Sequence, residues 1–595
     1  MNKFITLVVL FATLLLAIFL LADTGLFAYS FLSNVYCLHL YVIGILALLF
    51  FILLFKDKSK AGHLSIPFLV FCSWGLYITL NSTFRTHAES YFTSYLTIFF
   101  FISFSLFFFC KHQLIDSQLL LIPIAFAGLI EGIVVILQYL RILSSHSTFF
   151  TVTGTTDNPN IAAMFIALSI PACVTITKMS KSGYRYVAII MWIVMISSLF
   201  VLQCRSALIG AGVIALVYLI VEWRGSILKI TGVYKVLILT GIIISILFTV
   251  YLYQQKRASA YGRLTIWKIS GEMIAQRPLS GYGYGFFQRE YNLQQADYFN
   301  RESRPEEERK NAGFTAMAYN EYIEQTIMGG LPGGLLFIST LIILLWSGWQ
   351  RKEENVAPLA SIAAFAFMSI VNYTIQSPLL FFAFIIYATL LLAQKSSSVS
   401  TKTYIIPRKL AITFCLTGII FTFSNLQKYN AQKQLKIARD LMQKGVFGQA
   451  ESIVGLIEKS ISTSELFYRT KSELLARRHL YKEANLAMDQ ALQYTSTTNQ
   501  LLTSAQLLEK LGDFSTAEHQ YRLVCGIEPH QFSPRVLLMK MYLRRHQVEK
   551  ARYMAYEIIR MKPKFNSEKV LQYKQYALKV INSYKNESNH LTPIG

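Results

Sequence analysis

Apolar runs dominate the first 425 residues, and their lengths set the expected fold. Runs long enough to cross roughly 30 Å of hydrocarbon fall near 5–22, 37–55, 64–80, 92–110, 118–140, 160–177, 186–203, 206–221, 233–253, 322–347, 357–374, 378–394 and 410–424. They predict about 13 membrane-spanning helices. The first run, ITLVVLFATLLLAIFLLA, has no clear small-residue cleavage site and is followed by further spans, so it reads as an uncleaved helix. One extended hydrophilic interval, 254–318, interrupts the apolar part. Polar chemistry is expected there and on the shorter loops sharing its side of the membrane.

From about residue 428 the pattern becomes charged and helical. A small residue recurs in matching contexts, Ala450, Ala484, Ala517 and Ala551, spaced 34, 33 and 34 residues apart. Pro529 and Pro563 repeat 34 apart at the ends of the second helices of successive pairs. This period resembles tetratricopeptide (TPR) repeats, in which small residues let paired helices approach closely. About four repeats and a final helix near 567–584 are expected. The predicted fold class is all-α: a polytopic membrane bundle over 1–425, with 254–318 as its large loop, and a TPR-like α-solenoid over 428–585.

Composition agrees with a membrane protein. Of 595 residues 54% are hydrophobic, and the mean hydropathy is +0.42, more apolar surface than a soluble domain hides. The net charge of +23 fits topology signals and anionic headgroup contacts, since no compact nucleic-acid reader accompanies it. The seven cysteines are scattered without a CxxC pair, so neither a disulfide framework nor a zinc site is expected.

Charge also orients the chain. With the N-terminus inside, alternate loops carry Lys56, Lys58 and Lys60; Lys111; Lys178, Lys181 and Arg185; Arg224, Lys229 and Lys235; Arg351 and Lys352; and Lys395 to Lys409. The opposite short loops carry only Arg85, Arg141 and Arg205. Four polar clusters then share the outer face: TGTTDNPN (153–160), the turn QCRS (203–206), the long loop, and AYNEY (318–322). An odd number of spans places the C-terminal repeats outside as well.

Within these clusters, Arg205 stands between two apolar helices at the edge of the hydrocarbon, where an ionisable group is a functional candidate; the bland alternative is a snorkelling anchor. Arg263 opens GRLTIWKISGEMIAQRP, whose Leu264, Trp267, Ile269, Met273 and Ile274 have amphipathic helical spacing. A guanidinium there can grip a phosphate bidentately or merely contact a headgroup. Asn158 and Asn160 flank Pro159 ahead of the sixth span, and Tyr319, Asn320 and Glu321 enter the tenth, where capping is the simple reading of Asn320. Gly281, Gly283 and Gly285 form a turn with neither a preceding strand nor a Walker lysine, which argues against a nucleotide loop.

Taken in order, G-T-x-x-N-P-N before a span, Arg-Ser between two spans, G-R-x-x-x-W followed by P-x-x-G-x-G-x-G-x-F, and A-x-N-E-Y resemble the O-antigen ligase superfamily over roughly 150–345. That superfamily includes O-antigen ligases, O-antigen polymerases and protein O-oligosaccharyltransferases. The resemblance implies a GT-C-like membrane glycosyltransferase of the bacterial inner membrane, with its C-terminal domain periplasmic. Such an enzyme moves an undecaprenyl-diphosphate-linked glycan onto an acceptor hydroxyl, of lipid A core or of a protein Ser or Thr, with no metal, nucleotide or other cofactor. It assigns Arg205 and Arg263 to the lipid diphosphate, Tyr319, Asn320 and Glu321 to the catalytic position, and Asn158, Asn160 and Trp267 to the substrate vestibule. The superfamily's A-H-N-x-Y loop here has Tyr319 in place of histidine, and tyrosine is a poor base at neutral pH. His87, His146, Asp157, Glu321 and Glu324 remain as alternative bases.

Two other functions stay open. One is a repeat-unit polymerase for O-antigen or exopolysaccharide. The other is a non-catalytic envelope-assembly scaffold whose arginines bind lipid headgroups only. A transporter fits less well, because the spans carry almost no charge beyond Glu131. The implied partners are the lipid-linked glycan, its acceptor, membrane lipids and a protein docked on the repeats; nucleic acid is not expected.

Overall fold

The computed structural model describes residues 2–22, 30–55, 60–86, 91–145, 147–179, 182–226, 257–301, 304–393, 404–461, 464–564 and 566–589. The chain divides into two compact units, Met1–Lys256 with Tyr319–Lys433, and Arg257–Ala318 with Gln434–Gly595. The long polar interval thus belongs to the same unit as the C-terminal helices.

In the first unit, helices Asn2–Ala22, Ser30–Phe55, Ile66–Thr86, Tyr91–Lys111, Leu121–Tyr139, Pro159–Met179, Ser182–Leu202, Arg205–Ser226, Glu321–Trp349, Val356–Met368, Pro378–Ala393 and the first part of Arg408–Gln443 follow the expected apolar runs. The run 233–253 lies outside the described residues. Among the described residues, four helices are long and apolar enough to cross a membrane, Ser117–Tyr139, Pro159–Lys178, Glu321–Trp349 and Arg408–Gln443, and the remaining apolar helices are shorter. The expected thirteen spans therefore remain an expectation. The run 357–374 is corrected: its helix stops at Met368, and residues 369–377 form a loop. Among the described residues, the strand structure is a short antiparallel pairing of Lys60–Leu64 with Tyr404–Pro407.

Packing in this unit alternates bulky and minimal contacts. Trp74 is fully buried, its ring 5.2 Å from Phe337, 5.4 Å from Phe100 and 6.3 Å from Phe381, which joins four helices through aromatic edges and faces. Elsewhere small residues let backbones close up. A Cβ at Gly128 would stand 2.3 Å from the Ser169 Cβ, and Ser198 donates to the Gly132 carbonyl at 2.9 Å. The Glu321–Trp349 helix kinks at Gly330 (φ 68°, ψ −175°), two residues before Pro332. Proline removes one helical hydrogen bond and crowds the preceding turn, and Tyr77 donates to the Gly329 carbonyl beside the kink at 2.6 Å.

In the second unit, four short turns repeat one geometry. Gly445, His479, Gly512 and His546 all have positive φ, between 54° and 82°, and each precedes a recurring alanine by five positions. Ala450, Ala484, Ala517 and Ala551 are all fully buried, as the close helix approach requires. The closing helix is Glu568–Asn589. The polar interval adds helices Arg257–Gln276, Phe287–Arg301 and Glu306–Asn311. Phe287–Arg301 packs against Phe514–Ile527 through a small apolar cluster of Ala296, Leu501, Val524 and Ile527. The approach is tight, since a Cβ at Gly526 would lie 2.6 Å from the Ala296 carbonyl.

Candidate functional site

In the first unit, the segment 153–160 is held by two polar side chains of the Leu121–Tyr139 helix. The buried Glu131 carboxylate accepts the Thr155 N–H at 3.0 Å and the Thr155 hydroxyl at 2.6 Å. The Gln138 amide accepts from Thr153 N–H at 2.9 Å and Gly154 N–H at 2.8 Å, and donates to the Gly154 carbonyl at 2.8 Å. Gly154 is indispensable to this clasp: its φ is +71° and a Cβ would sit 1.9 Å from Glu131 Oε1. Glu131, noted in the sequence only for its rarity, is thus the anchor of the TGTT segment.

The clasp presents Asn158. Its Oδ1 accepts the Asn160 N–H at 2.9 Å, and Pro159 begins the Pro159–Met179 helix. Its Nδ2 donates to Tyr373 Oη at 2.5 Å. Asn160 contributes that backbone donor, and Asp157 beside it is exposed.

The turn 203–206 reaches the same neighbourhood. Gln203 has φ 49°, Arg205 begins the Arg205–Ser226 helix, and the buried Ser206 hydroxyl accepts from Asn372 Nδ2 at 2.7 Å. A guanidinium at the first position of a helix adds to its positive dipole end, an arrangement suited to an anion.

The third segment is the entry to Glu321–Trp349. Tyr319 has φ 52°, an uncommon conformation for a bulky residue, and its ring meets Tyr373 at 5.7 Å between centroids and 73° between planes. Asn320 caps the helix, accepting the Ile323 N–H at 3.1 Å, as the simple reading holds. Glu321 is fully buried. Its Oε2 accepts the Thr374 and Ile375 N–H groups at 3.0 and 3.2 Å, and its Oε1 accepts from Gln325 at 3.1 Å. Glu324 accepts from Gln376.

The loop 369–377, SIVNYTIQS, therefore ties together three of the polar clusters read from the sequence. Asn372, Tyr373 and Thr374 were missed because the apolar run 357–374 took them into a span, and Gln376 because it falls in the short gap before the run 378–394. The signal was present as a polar N-Y-T-x-Q-S string in an otherwise apolar stretch. The hub supplies two facing phenols, several amides and an adjacent arginine, groups that bind hydroxyls and anions. Glu321 has both oxygens engaged and so acts on the backbone of the loop.

Arg263 and Trp267 belong to the second unit, on Arg257–Gln276. Trp267 Nε1 donates to the Ala318 carbonyl at 2.9 Å. Thr265, Ile269 and Met273 are buried in a stripe, while Tyr261 and Leu264 are exposed. His87 and His146 lie outside the described residues. Among the described residues, no three His, Cys, Asp or Glu side chains gather as metal ligands would.

A comparison with the curated proteins returned no match. Among solved structures, the chain is similar to the APC/C hetero-tetramer Cut9-Hcn1, with 10% identity over 81% of this chain and 76% of that one and a TM-score of 0.22. It is also similar to yeast Tom70, with 12% identity over 72% and 95% of the two chains and a TM-score of 0.24. At such low scores neither likeness carries an inference about this chain. The region from within the Ser182–Leu202 helix to within Glu321–Trp349, residues 189–338, which holds Arg205, Arg263, Trp267, Tyr319, Asn320 and Glu321, matches the family model described as O-Antigen ligase.

Proposed function

We propose that the protein is a membrane glycosyltransferase of the ligase or polymerase type, transferring a glycan from a polyprenyl (undecaprenyl) diphosphate carrier to an acceptor hydroxyl at the extracytoplasmic side of the membrane. The observation that carries this reading is the family match over 189–338, which contains both arginines and the Tyr319–Glu321 entry. The hydroxyl oxygen bonds to the anomeric carbon as the bond from that carbon to the diphosphate oxygen breaks. The electron pair leaves on the diphosphate, and the proton released by the hydroxyl balances the charge. Arg205 and Arg263 are assigned to the departing diphosphate, whose charge grows in the transition state and is stabilised by fixed cations. Asn158, Tyr319 and Tyr373 are assigned to sugar hydroxyls, with Asn160, Asn320 and Glu321 holding the segments that present them. The glycan acceptor, lipid A core or protein hydroxyl, belongs to the same proposal.

The test is glycan transfer by the full chain in membranes supplied with a polyprenyl-diphosphate-linked oligosaccharide. Arg205→Ala at normal expression should lower the rate about 100-fold or more, the range for losing one preorganised charge-stabilising group. Undiminished transfer by this variant would sink the assignment of Arg205, and no transfer by the parent chain would favour a scaffold. Deleting the gene and asking which product disappears, long-chain lipopolysaccharide, glycoprotein or another polysaccharide, identifies the acceptor.

A further inference from the structure

Outside that site, the second unit has a cleft between Glu306–Asn311 and the end of Val548–Arg560, with a volume of about 630 Å³. That lies within the roughly 300–1,000 Å³ of sites for small organic ligands. Its lining is strongly cationic: Arg309, Lys310, Arg535, Arg560 and Lys562 against Glu306 and Glu557. Glu306 is paired with Lys562 at 2.9 Å, and Glu557 lies 3.9 Å from Arg535. Among the described residues, Arg309, Lys310 and Arg560 form no ion pair.

Two features make this more than a solvated basic surface. Arg535 is 5% exposed and held in place by donating to the Gln531 carbonyl at 3.0 Å; burying a guanidinium is costly unless a counter-charge compensates it, and the nearby Glu557 at 3.9 Å is one carboxylate among five cations in the lining. Arg309, which donates to the Phe299 carbonyl at 3.1 Å, is held below the usual guanidinium range by burial and by Arg535 nearby, which together outweigh the opposing pull of Glu557. The cleft therefore concentrates like charge that an anion would relieve. On the same rim, Tyr553 and Tyr556 are 62% and 43% exposed. Being three positions apart on one helix, they share a face and offer flat rings with a polar edge.

We propose that this cleft binds an acidic saccharide, its carboxylates or phosphates met by Arg309, Lys310 and Arg560 and its sugar rings lying on Tyr553 and Tyr556. The combination of cations with exposed phenols, and the scarcity of aliphatic anchors in the lining, fits a charged glycan better than a peptide, whose affinity rests on buried apolar anchors. The proposal rests on the reading that the protein handles glycans, and it supplies a second contact with the glycan outside the membrane unit.

The experiment is a titration of the full chain in detergent with oligogalacturonate, with maltooligosaccharide of equal length as the neutral control and inorganic phosphate as competitor. Binding is read without turnover, so a chain that fails in transfer can still bind, and an active transferase can fail to bind. The expected result is selective binding of the acidic oligosaccharide, weakened about tenfold or more in Arg309→Ser/Arg560→Ser and about fivefold in Tyr553→Ala. Both variants alter partly or fully exposed groups, and an unchanged melting curve certifies their fold. Equal affinity for the neutral control, displacement by phosphate at the oligosaccharide's own concentration, or unchanged affinity in both variants would each overturn the proposal.

Discussion

Asn158 donates a 2.5 Å hydrogen bond to the phenol oxygen of Tyr373, joining two loops 215 residues apart in the chain. Neither residue is a charged group, yet this contact and the edge-to-face meeting of Tyr373 with Tyr319 define the centre of the candidate site. Tyr373→Phe removes the acceptor and leaves the ring. Such a bond contributes about 1 kcal/mol, so transfer should fall roughly fivefold to tenfold while the protein remains folded. The check is initial-rate transfer beside a detergent melting curve, and a lower melting temperature with normal transfer per folded molecule would reverse the assignment.

Glu321 holds the backbone of the same loop. In Glu321→Gln one oxygen becomes a donor, which opposes either the Thr374 and Ile375 N–H groups or the Gln325 amide. An unsatisfied buried donor costs about 1–3 kcal/mol. The variant should melt earlier and lose transfer, and Glu321→Asp should not rescue it, because the shorter side chain withdraws the acceptor. Full activity in Glu321→Gln would remove the positioning role.

Gly526→Ala tests the union of the polar interval with the repeats. The added methyl meets the Ala296 carbonyl at 2.6 Å, a backbone atom that cannot swing away, so Phe287–Arg301 must shift. Overpacking of this kind costs about 1–3 kcal/mol. Limited proteolysis should cut within 287–315 faster in the variant than in the parent, with the repeats themselves cut at the parent's rate.

His530 predicts a pH response. Burial, together with the Lys564 and Arg535 charges, holds its imidazole below the usual range, although its ring nitrogen meets the Ala312 carbonyl at 2.7 Å. A histidine kept neutral in the folded state binds fewer protons there than in the unfolded chain. Its contribution is therefore present above the ordinary histidine pKa of about 6.5 and lost as pH falls below it. The second unit should melt progressively earlier from pH 7 to 5.5, and His530→Gln should flatten that slope. An equally steep slope in the variant would assign it to other groups.

Much of this architecture is legible in residue pattern alone, for identifiable reasons. Hydrophobic length announces helices directly, and the recurring alanines announce the repeats because only a small side chain fits between the paired helices. Capping by Asn320 follows from its residue type and position. The loop around Tyr373 is hidden because Ile370, Val371 and Ile375 keep local hydropathy high across a break in the helix. Glu131 and Gln138 are hidden for a different reason: their partners are backbone groups and one hydroxyl of a turn on another segment, which no spacing rule connects. The union of 257–318 with the repeats includes the fit of Ala296 against Gly526 and the hydrogen bond from Gln295 to the Ile527 carbonyl, matches invisible until both helices are placed.

That union has a consequence for how the polypeptide comes into being. The helix bearing Ala296 leaves the ribosome more than 200 residues before Val524 and Ile527, which complete its apolar cluster. Until those partners arrive, its apolar side has only near neighbours such as Phe314 and the Arg257–Gln276 helix to cover it, and domains ordinarily fold as they emerge. Synthesis therefore passes through an interval in which a half-built domain waits, and chaperones acting in that interval would govern how much functional protein accumulates.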